Sequence, residues 1–432
     1  MLKSICRIEE RSCIYDCNVN RNTWDYGKLC HISAKNGKNL LLWKLISDIL
    51  WFFHYLFLGA YSGSAVAMIA VFREFVFYKE NQKERLIKMR IGVVNWERTG
   101  SSDTYFGHYI SRSLSPAKYR HRTPYYADII SENKIAFHKT SQEEYDKELQ
   151  YAIDAGIDYF AYTWNSEEKE NRADFPDATK EEKENHLKEE ENSKRKLHTR
   201  SVLKKKIKLC AILLCMHNFS DNDMEKLLEE MKEDYYEKID GRPLVYLFGG
   251  YRLDFIKRLQ AKAEEKGVSK PYISFFDNGA ISENGDYSLA DAVSSYSFEY
   301  PNCSSYLEYC QKLNLRNDER KKFNIDLIPL FSLGYNAKPR MDNPVPWFGG
   351  YTEAGCTPLP TIQDMANGGN IFADWMEENK SYVKSRHIMV FAWNEFEEGA
   401  WICPTYDDDL NIDSSRVKVF SEIVKNWKQR LL

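Results

Sequence analysis

From Arg90 onward the chain alternates short apolar runs with amphipathic stretches. Eight runs can be counted: Ile91–Trp96, Ile157–Trp164, Ile207–Cys215, Leu244–Phe248, Tyr272–Phe276, Ala292–Tyr296, Leu327–Leu333 and His387–Trp393. Between them lie helical stretches at Glu143–Ala155, Asp223–Lys238, Leu253–Lys266, Tyr306–Leu313 and Ile362–Glu378, with a closing helix near Arg416–Leu431. Strands that alternate with helices build parallel βαβ units. Eight such units close a barrel of about 250 residues or more, and a chain of 432 residues, 43% hydrophobic, can supply its core. The pattern therefore predicts an α/β chain, a (β/α)8 TIM barrel over residues 89–432, preceded by an N-terminal extension, residues 1–88, that contains an apolar segment.

That extension differs from the rest in composition. Its densest apolar part, Ile49 to Phe72, is a 24-residue window with His54 but no Asp, Glu, Lys or Arg. The length suffices to span a bilayer, and the window begins too far from Met1 for a typical signal peptide. Membrane association through residues 49–72 is the expectation. Arg73, Lys79, Lys83, Arg85, Lys88 and Arg90 after the window outnumber Lys35, Lys38 and Lys44 before it. By the positive-inside tendency this keeps the catalytic part cytoplasmic, free or membrane-anchored. A rival reading makes Met89 the start and the upstream stretch a mis-assigned extension. The ten cysteines include no CxxC and no zinc-site spacing. Cys210 and Cys215, inside an apolar run, read as buried thiols and favour a reducing compartment.

Barrel active sites lie at the C-terminal ends of the strands, so the residues leaving each run are the candidates. The last run leads into Phe391-Ala-Trp-Asn-Glu-Phe-Glu-Glu-Gly399, which sets aromatics beside three carboxylates. Cleaving a glycosidic bond needs one group to protonate the departing oxygen and another on the anomeric side, and two carboxyl groups can do both. Glu395 and Glu398 are the natural catalytic pair. At i, i+3 their Cβ atoms come within roughly 5–6 Å, near the carboxyl separation of about 5–5.5 Å in retaining glycosidases, and Glu397 is then expected to point elsewhere. The competing structural reading is an acidic helix N-terminus. Substrate-binding candidates at the strand ends are Trp96, Tyr162, Trp164, Asn218, Asp277, Tyr296, Trp393 and Asn394. Trp164 and Trp393 either stack on sugar faces or cap the barrel core, and Asn394 either binds hydroxyls or holds a turn. Arg340 suits an anionic substituent, although a salt bridge across its loop is the preferred reading.

The WNEFEEG motif followed by Pro404-Thr405 resembles the signature of family 99 glycoside hydrolases, the endo-α-mannosidases, and of the related WbsX-type proteins of polysaccharide biosynthesis. More diffuse matches occur at Ala155-Gly-Ile-Asp-Tyr-Phe-Ala-Tyr-Thr-Trp164 and Gly241-Arg-Pro-Leu-Val-Tyr-Leu-Phe248, so the resemblance runs over residues 90 to 430. It implies that Glu395 acts as a base on the sugar 2-hydroxyl through an epoxide-like intermediate, and that Glu398 serves as general acid and then base. The chain departs from the family at Glu397, where a small, neutral or histidine residue is more usual, and in lacking a long aromatic loop after the first strand. An added buried carboxylate raises its neighbours' pKa values.

A formal charge of −4, from 60 basic and 64 acidic residues, gives no basic excess for nucleic acid. No cofactor or metal is expected. Asp407-Asp-Asp409 lacks the alternate spacing of a calcium loop, and the Gly249-Gly250 and Gly349-Gly350 pairs are not phosphate-loop fingerprints. The charged segment from Ser166 to Lys206 reads as a solvated helical insertion, with a lid over the active site as the functional alternative. Together these features predict an enzyme that hydrolyses an α-glycosidic bond of an oligo- or polysaccharide with retention. The alternatives are a polysaccharide or lipopolysaccharide biosynthesis protein and a non-catalytic glycan-binding barrel.

Overall fold

The computed structural model describes residues 37–72, 89–96, 101–164, 179–181, 184, 193–215, 219–277, 286–299, 302–347, 350, 352 and 355–431, with side chains from residue 47 onward. The chain divides into two compact units, Met1–Leu86 and Ile87–Leu432.

In the first unit the helix Gly37–Phe57 ends in a turn, and residues 61–72 form a second helix. Gly59 takes a left-handed φ of +69°, and the Ala60 N–H donates to the Tyr55 carbonyl at 3.0 Å, closing the first helix with a glycine cap. The apolar window of residues 49–72 is thus split, not continuous. Among the described residues no helix is long and apolar enough to cross a membrane. Counting apolar residues missed the break because Leu58-Gly59 interrupts the helix without adding a charge.

The second unit is the barrel. Its strands are β1 Arg90–Asn95, β2 Tyr159–Trp164, β3 Lys208–Leu214, β4 Arg242–Phe248, β5 Tyr272–Phe276, β6 Ala292–Ser294, β7 in two pieces, Asp326–Leu327 and Leu330–Ser332, and β8 His387–Phe391. Every neighbouring pair is parallel, in the order β1 to β7 and then β8 back to β1. Closure runs through β7. Its first piece pairs with β6 (Asp326↔Ala292) and its second with β8 (Leu330↔Met389). Pro329, which has no N–H to offer a ladder, sits at the break, where its carbonyl accepts from Met389 at 3.0 Å. All eight predicted runs are strands of the ring. The helices agree closely, except that Tyr306–Leu313 is too short, the observed helix running to Glu319, and Asp223–Lys238 is too long. The observed Asp221–Lys232 helix stops before a short strand, Lys238–Ile239, that folds back on β4. The hairpin Ala127–Ser131 with Lys134–Phe137 and the helix Tyr105–Leu114 fill the long β1–β2 connection and were not foreseen.

Side chains alternate between lumen and helix layer. Gly92 faces the lumen where Tyr159 crosses, and a Cβ there would lie 2.0 Å from the Tyr159 ring. Tyr159 is held in place by its hydroxyl contact with Tyr246 at 2.9 Å. At the N-terminal end of the barrel Glu237 takes Arg90 at 2.9 Å and His387 at 3.2 Å. Burial alone would raise its carboxyl, but the hydrogen bonds from His387 and Arg90 overcome this and bring it down to about 2. Gly92→Ala is expected to destabilise the protein by about 2–3 kcal/mol through overpacking against a ring that cannot retreat, read as a lower urea midpoint. An unchanged midpoint would mean that the lumen has room to adjust.

Candidate functional site

The motif after β8 forms a β-hairpin, not a helix N-terminus. Asn394–Glu395 pairs antiparallel with Ala400–Trp401, and Phe396 to Gly399 make the turn, closed by the Gly399 N–H on the Phe396 carbonyl at 3.3 Å. Gly399 has φ +78°, and a Cβ there would sit 2.8 Å from Asn336 Cβ and 2.9 Å from its nitrogen. The close approach lets the Asn336 N–H donate to the Glu398 carbonyl at 2.6 Å. Asn336 is itself fixed. Arg122 donates to its carbonyl and its side-chain oxygen, each at 2.8 Å, and its amide donates to the Thr357 carbonyl at 2.7 Å.

This turn points three carboxylates at one cation. The Arg340 guanidinium lies on the helix Lys338–Asp342. It donates through Nη1 to Glu398 and through Nη2 to Glu397 at 2.7 Å, with Glu395 Oε2 at 3.7 Å from Nη2. The carboxylates are 4% (Glu395), 1% (Glu397) and 9% (Glu398) exposed, so the cluster is nearly dry. Glu397, expected to point away, belongs to it. The Tyr296 hydroxyl donates to Glu395 Oε1 at 3.3 Å.

One guanidinium cannot neutralise three buried carboxylates. Burial, followed by the charges of Glu398 and Glu397, raises the Glu395 carboxyl well above its ordinary value, against the pull of Arg340 and Tyr296. Burial also pushes Glu398 up to about 7, against Arg340 and with the help of Glu299 and Glu397. Near neutral pH the pair therefore retains at least one proton. This is the electrostatic state that acid–base chemistry on a sugar requires.

Of the candidates read from sequence, the structure brings Glu395, Glu398, Tyr296 and Trp96 together. The partly exposed Trp96 ring lies 6.4 Å from that of Tyr296. Asn394 is adjacent but occupied, bracing β1 through the Trp96 N–H at 2.8 Å and the Trp96 carbonyl at 2.9 Å. Trp393 is fully buried and faces the helix layer. Its indole N–H donates to Glu148 at 2.8 Å and its ring packs 5.4 Å from Phe160. Tyr162 and Trp164 share that outward face of β2. The Tyr162 hydroxyl meets His198 at 2.9 Å, and Arg195 lies 3.8 Å over the Trp164 ring. None of these three is placed to stack on a sugar: strand alternation sends Tyr162 and Trp164 away from the lumen, and Trp393, beyond the end of β8, is committed to Glu148 and Phe160. Asp277 is buried against Arg320, 3.8 Å from it. Asn218 and His217 lie outside the described residues. A surface cleft lined by Phe219, Arg252, Asp254, Phe255 and Arg258 shares no residue with the carboxylate cluster.

Sequence reading missed the supporting residues Arg122, Glu148 and Lys194. Glu148 binds the Lys194 ammonium with both oxygens at 2.9 Å as well as Trp393. Its partners lie 46 and 245 positions away, so no local pattern marks it.

Among solved structures the chain is similar to two of the GH99 endo-alpha-mannosidase from Bacteroides thetaiotaomicron. One, in complex with BIS-TRIS-propane, has a TM-score of 0.45, and the other a TM-score of 0.47. Each is 12% identical, over 80% of this chain and 99% of that one. A glycoside hydrolase family 5 mannosidase from Rhizomucor miehei, a mutant in complex with mannosyl-fructose, gives a TM-score of 0.33 at 10% identity, over 66% of this chain and 88% of that one. Residues 28–101 match the Imp-YgjV family, described as a bacterial inner membrane protein. A comparison with curated proteins finds no match.

Replacing Glu148 by Ala strands the Lys194 ammonium and removes the acceptor of the Trp393 indole. Breaking such a buried pair costs about 3–5 kcal/mol, so the variant is expected to unfold at markedly lower denaturant with an altered tryptophan emission. A loss below about 1 kcal/mol would mean that Lys194 reaches water.

Proposed function

We propose that the barrel unit is a glycan-active enzyme that hydrolyses an α-glycosidic bond with retention, with Glu395 and Glu398 as its catalytic residues. One observation carries this reading: a buried carboxyl pair at the C-terminal end of β8, raised in proton affinity and sharing a single guanidinium. Glu398, whose carboxyl is the more exposed of the two, is the acid. It gives its proton to the departing oxygen as the bond from that oxygen to the anomeric carbon breaks. Glu395 works on the anomeric side, either on the carbon itself or as a base toward the neighbouring 2-hydroxyl. Water then attacks the anomeric carbon, losing one proton to Glu398, which restores the starting acid. Its hydroxyl stays on that carbon as the bond to Glu395 breaks or, where the 2-oxygen had closed on the carbon, as that bond breaks and the 2-oxygen takes its proton back from Glu395. Trp96 and Tyr296 stand beside the pair as the sugar-contacting aromatics, and Asn218 is a further proposed contact.

The working form carries one proton on the pair. Activity should fall at low pH as both carboxyls fill and at high pH as both empty, the two limbs belonging to the pair jointly. Since Glu398 is raised to about 7, kcat/KM should decline as pH rises through that value.

The test is product analysis of the full chain against α-mannans and bacterial polysaccharides, alongside Glu395→Gln and Glu398→Gln. Release of shorter sugars, reduced about 10²–10⁴-fold in each folded variant, supports hydrolysis, and the anomer of the first product decides retention. Chain extension from an activated donor would move the assignment to polysaccharide synthesis. Sugar binding that survives Glu398→Gln, with no turnover by wild type, would make the barrel a glycan-binding protein.

A further inference from the structure

We propose that Glu397 is a positioning residue for the acid: by anchoring one arm of the Arg340 guanidinium, it keeps that cation from committing to Glu398 and leaves Glu398 able to carry the proton it donates. This rests on the reading of Glu398 as the acid.

The geometry gives the direction. Glu397 is 1% exposed, and its Oε1 takes Arg340 Nη2 at 2.7 Å, while its Oε2 has no hydrogen-bond partner among the described residues. Arg340 is its hydrogen-bonded cation, with the buried Arg122 guanidinium acting on it only through space, so withdrawing Arg340 would strip Glu397 of its hydrogen-bonded cation in a dry site, which is strongly unfavourable for a buried pair. Glu398 is the more exposed end of the fork and the one that a departing sugar oxygen can replace. Arg340 therefore stays with Glu397 while its Nη1 arm yields Glu398 to substrate. Only a planar, two-armed cation can divide itself in this way; an ammonium is a single point. The groups around Glu398 are Arg340, Glu299, Glu397, Glu395 and Tyr296. Among them Arg340 is the cation, and Glu397 is the carboxylate that competes for it most closely.

Two substitutions should move the Glu398 titration in opposite directions. In Glu397→Gln the guanidinium turns fully to Glu398 and a repelling charge disappears, so the midpoint falls by at least about one pH unit. In Arg340→Met the attracting charge disappears and the midpoint rises by a similar amount. The readout is carbon-13 NMR of the full chain with labelled glutamate carboxyls, Glu398 being assigned by its loss in Glu398→Gln, together with the pH profile of cleavage. Opposite displacements support the inference. Displacement of both midpoints in one direction, or of neither, overturns it, because a residue that merely props the fold would lower activity without moving the midpoints apart. Should Glu397→Gln fail to fold, Glu397→Asp keeps the charge with a shorter reach and should give a smaller fall of the same sign. If wild type cleaves no glycan, the reading of Glu398 as an acid falls, while the NMR midpoints still decide whether Glu397 and Arg340 set its proton affinity.

Discussion

The site depends on the imbalance of one guanidinium against three buried carboxylates. Arg340 alone gathers Glu395, Glu397 and Glu398, and a single positive charge cannot satisfy all three in a medium where unpaired charge is costly. The surplus appears as retained protons. The raised carboxyls of Glu395 and Glu398 follow from where the hairpin turn puts them and need no metal or cofactor.

Such a cluster is repulsive within itself, so the surrounding structure must hold it together, and three braces do so from different elements. Asn394 locks the hairpin to the end of β1 through both backbone groups of Trp96. Asn336, clamped by Arg122, fixes the turn through the Glu398 carbonyl and fills the space that Gly399 leaves open. Trp393 secures the strand end from behind through Glu148, whose charge is met by Lys194. Each brace is a hydrogen-bonded contact between side-chain or backbone groups of different elements, an arrangement that holds a site in place. The motif thus has two populations of side chain: Glu395, Glu397 and Glu398 form the cluster, while Trp393 and Asn394 tie it down.

How much of the site could be read in the sequence follows from how local its determinants are. The barrel was legible because each strand is a continuous apolar run, and even the proline break at Pro329 left the Leu327–Leu333 run recognisable. The pairing of Glu395 with Glu398 in one cluster was legible because they are three residues apart in one turn. Tyr162 and Trp164 were misplaced because a strand buried on both faces shows no polar alternation, so the sequence does not reveal which face meets the lumen; Trp393 lies past the end of β8, where the strand pattern no longer sets its direction. Arg340 was noticed for its charge but not for its partners, and Glu148 not at all, since the contacts that define them cross 46 to 245 positions of chain. The break inside the apolar window of residues 49–72 was missed for a different reason. Composition measures hydrophobicity, and a single left-handed glycine decides continuity.

The two ends of the barrel carry the same side chain in opposite states. Glu237, at the N-terminal end, is one carboxylate held by Arg90 and His387, and it stays ionised down to about 2. Glu398, at the C-terminal end, is one of three carboxylates held by one arginine, and it keeps its proton up to about 7. Both are buried, so burial alone cannot account for the difference; the ratio of cations to carboxylates sets its sign. The linkage to stability runs the same way. The favourable contribution of Glu237 is present above its unfolded value near 4.5 and is lost as pH falls toward 2. That of Glu398 is complete below the same unfolded value and is lost as pH rises through 7. A cation-rich pocket makes a carboxylate into a fastener. A cation-poor one makes it an acid, and keeps it so at a cost in stability above neutral pH that the rest of the barrel must absorb.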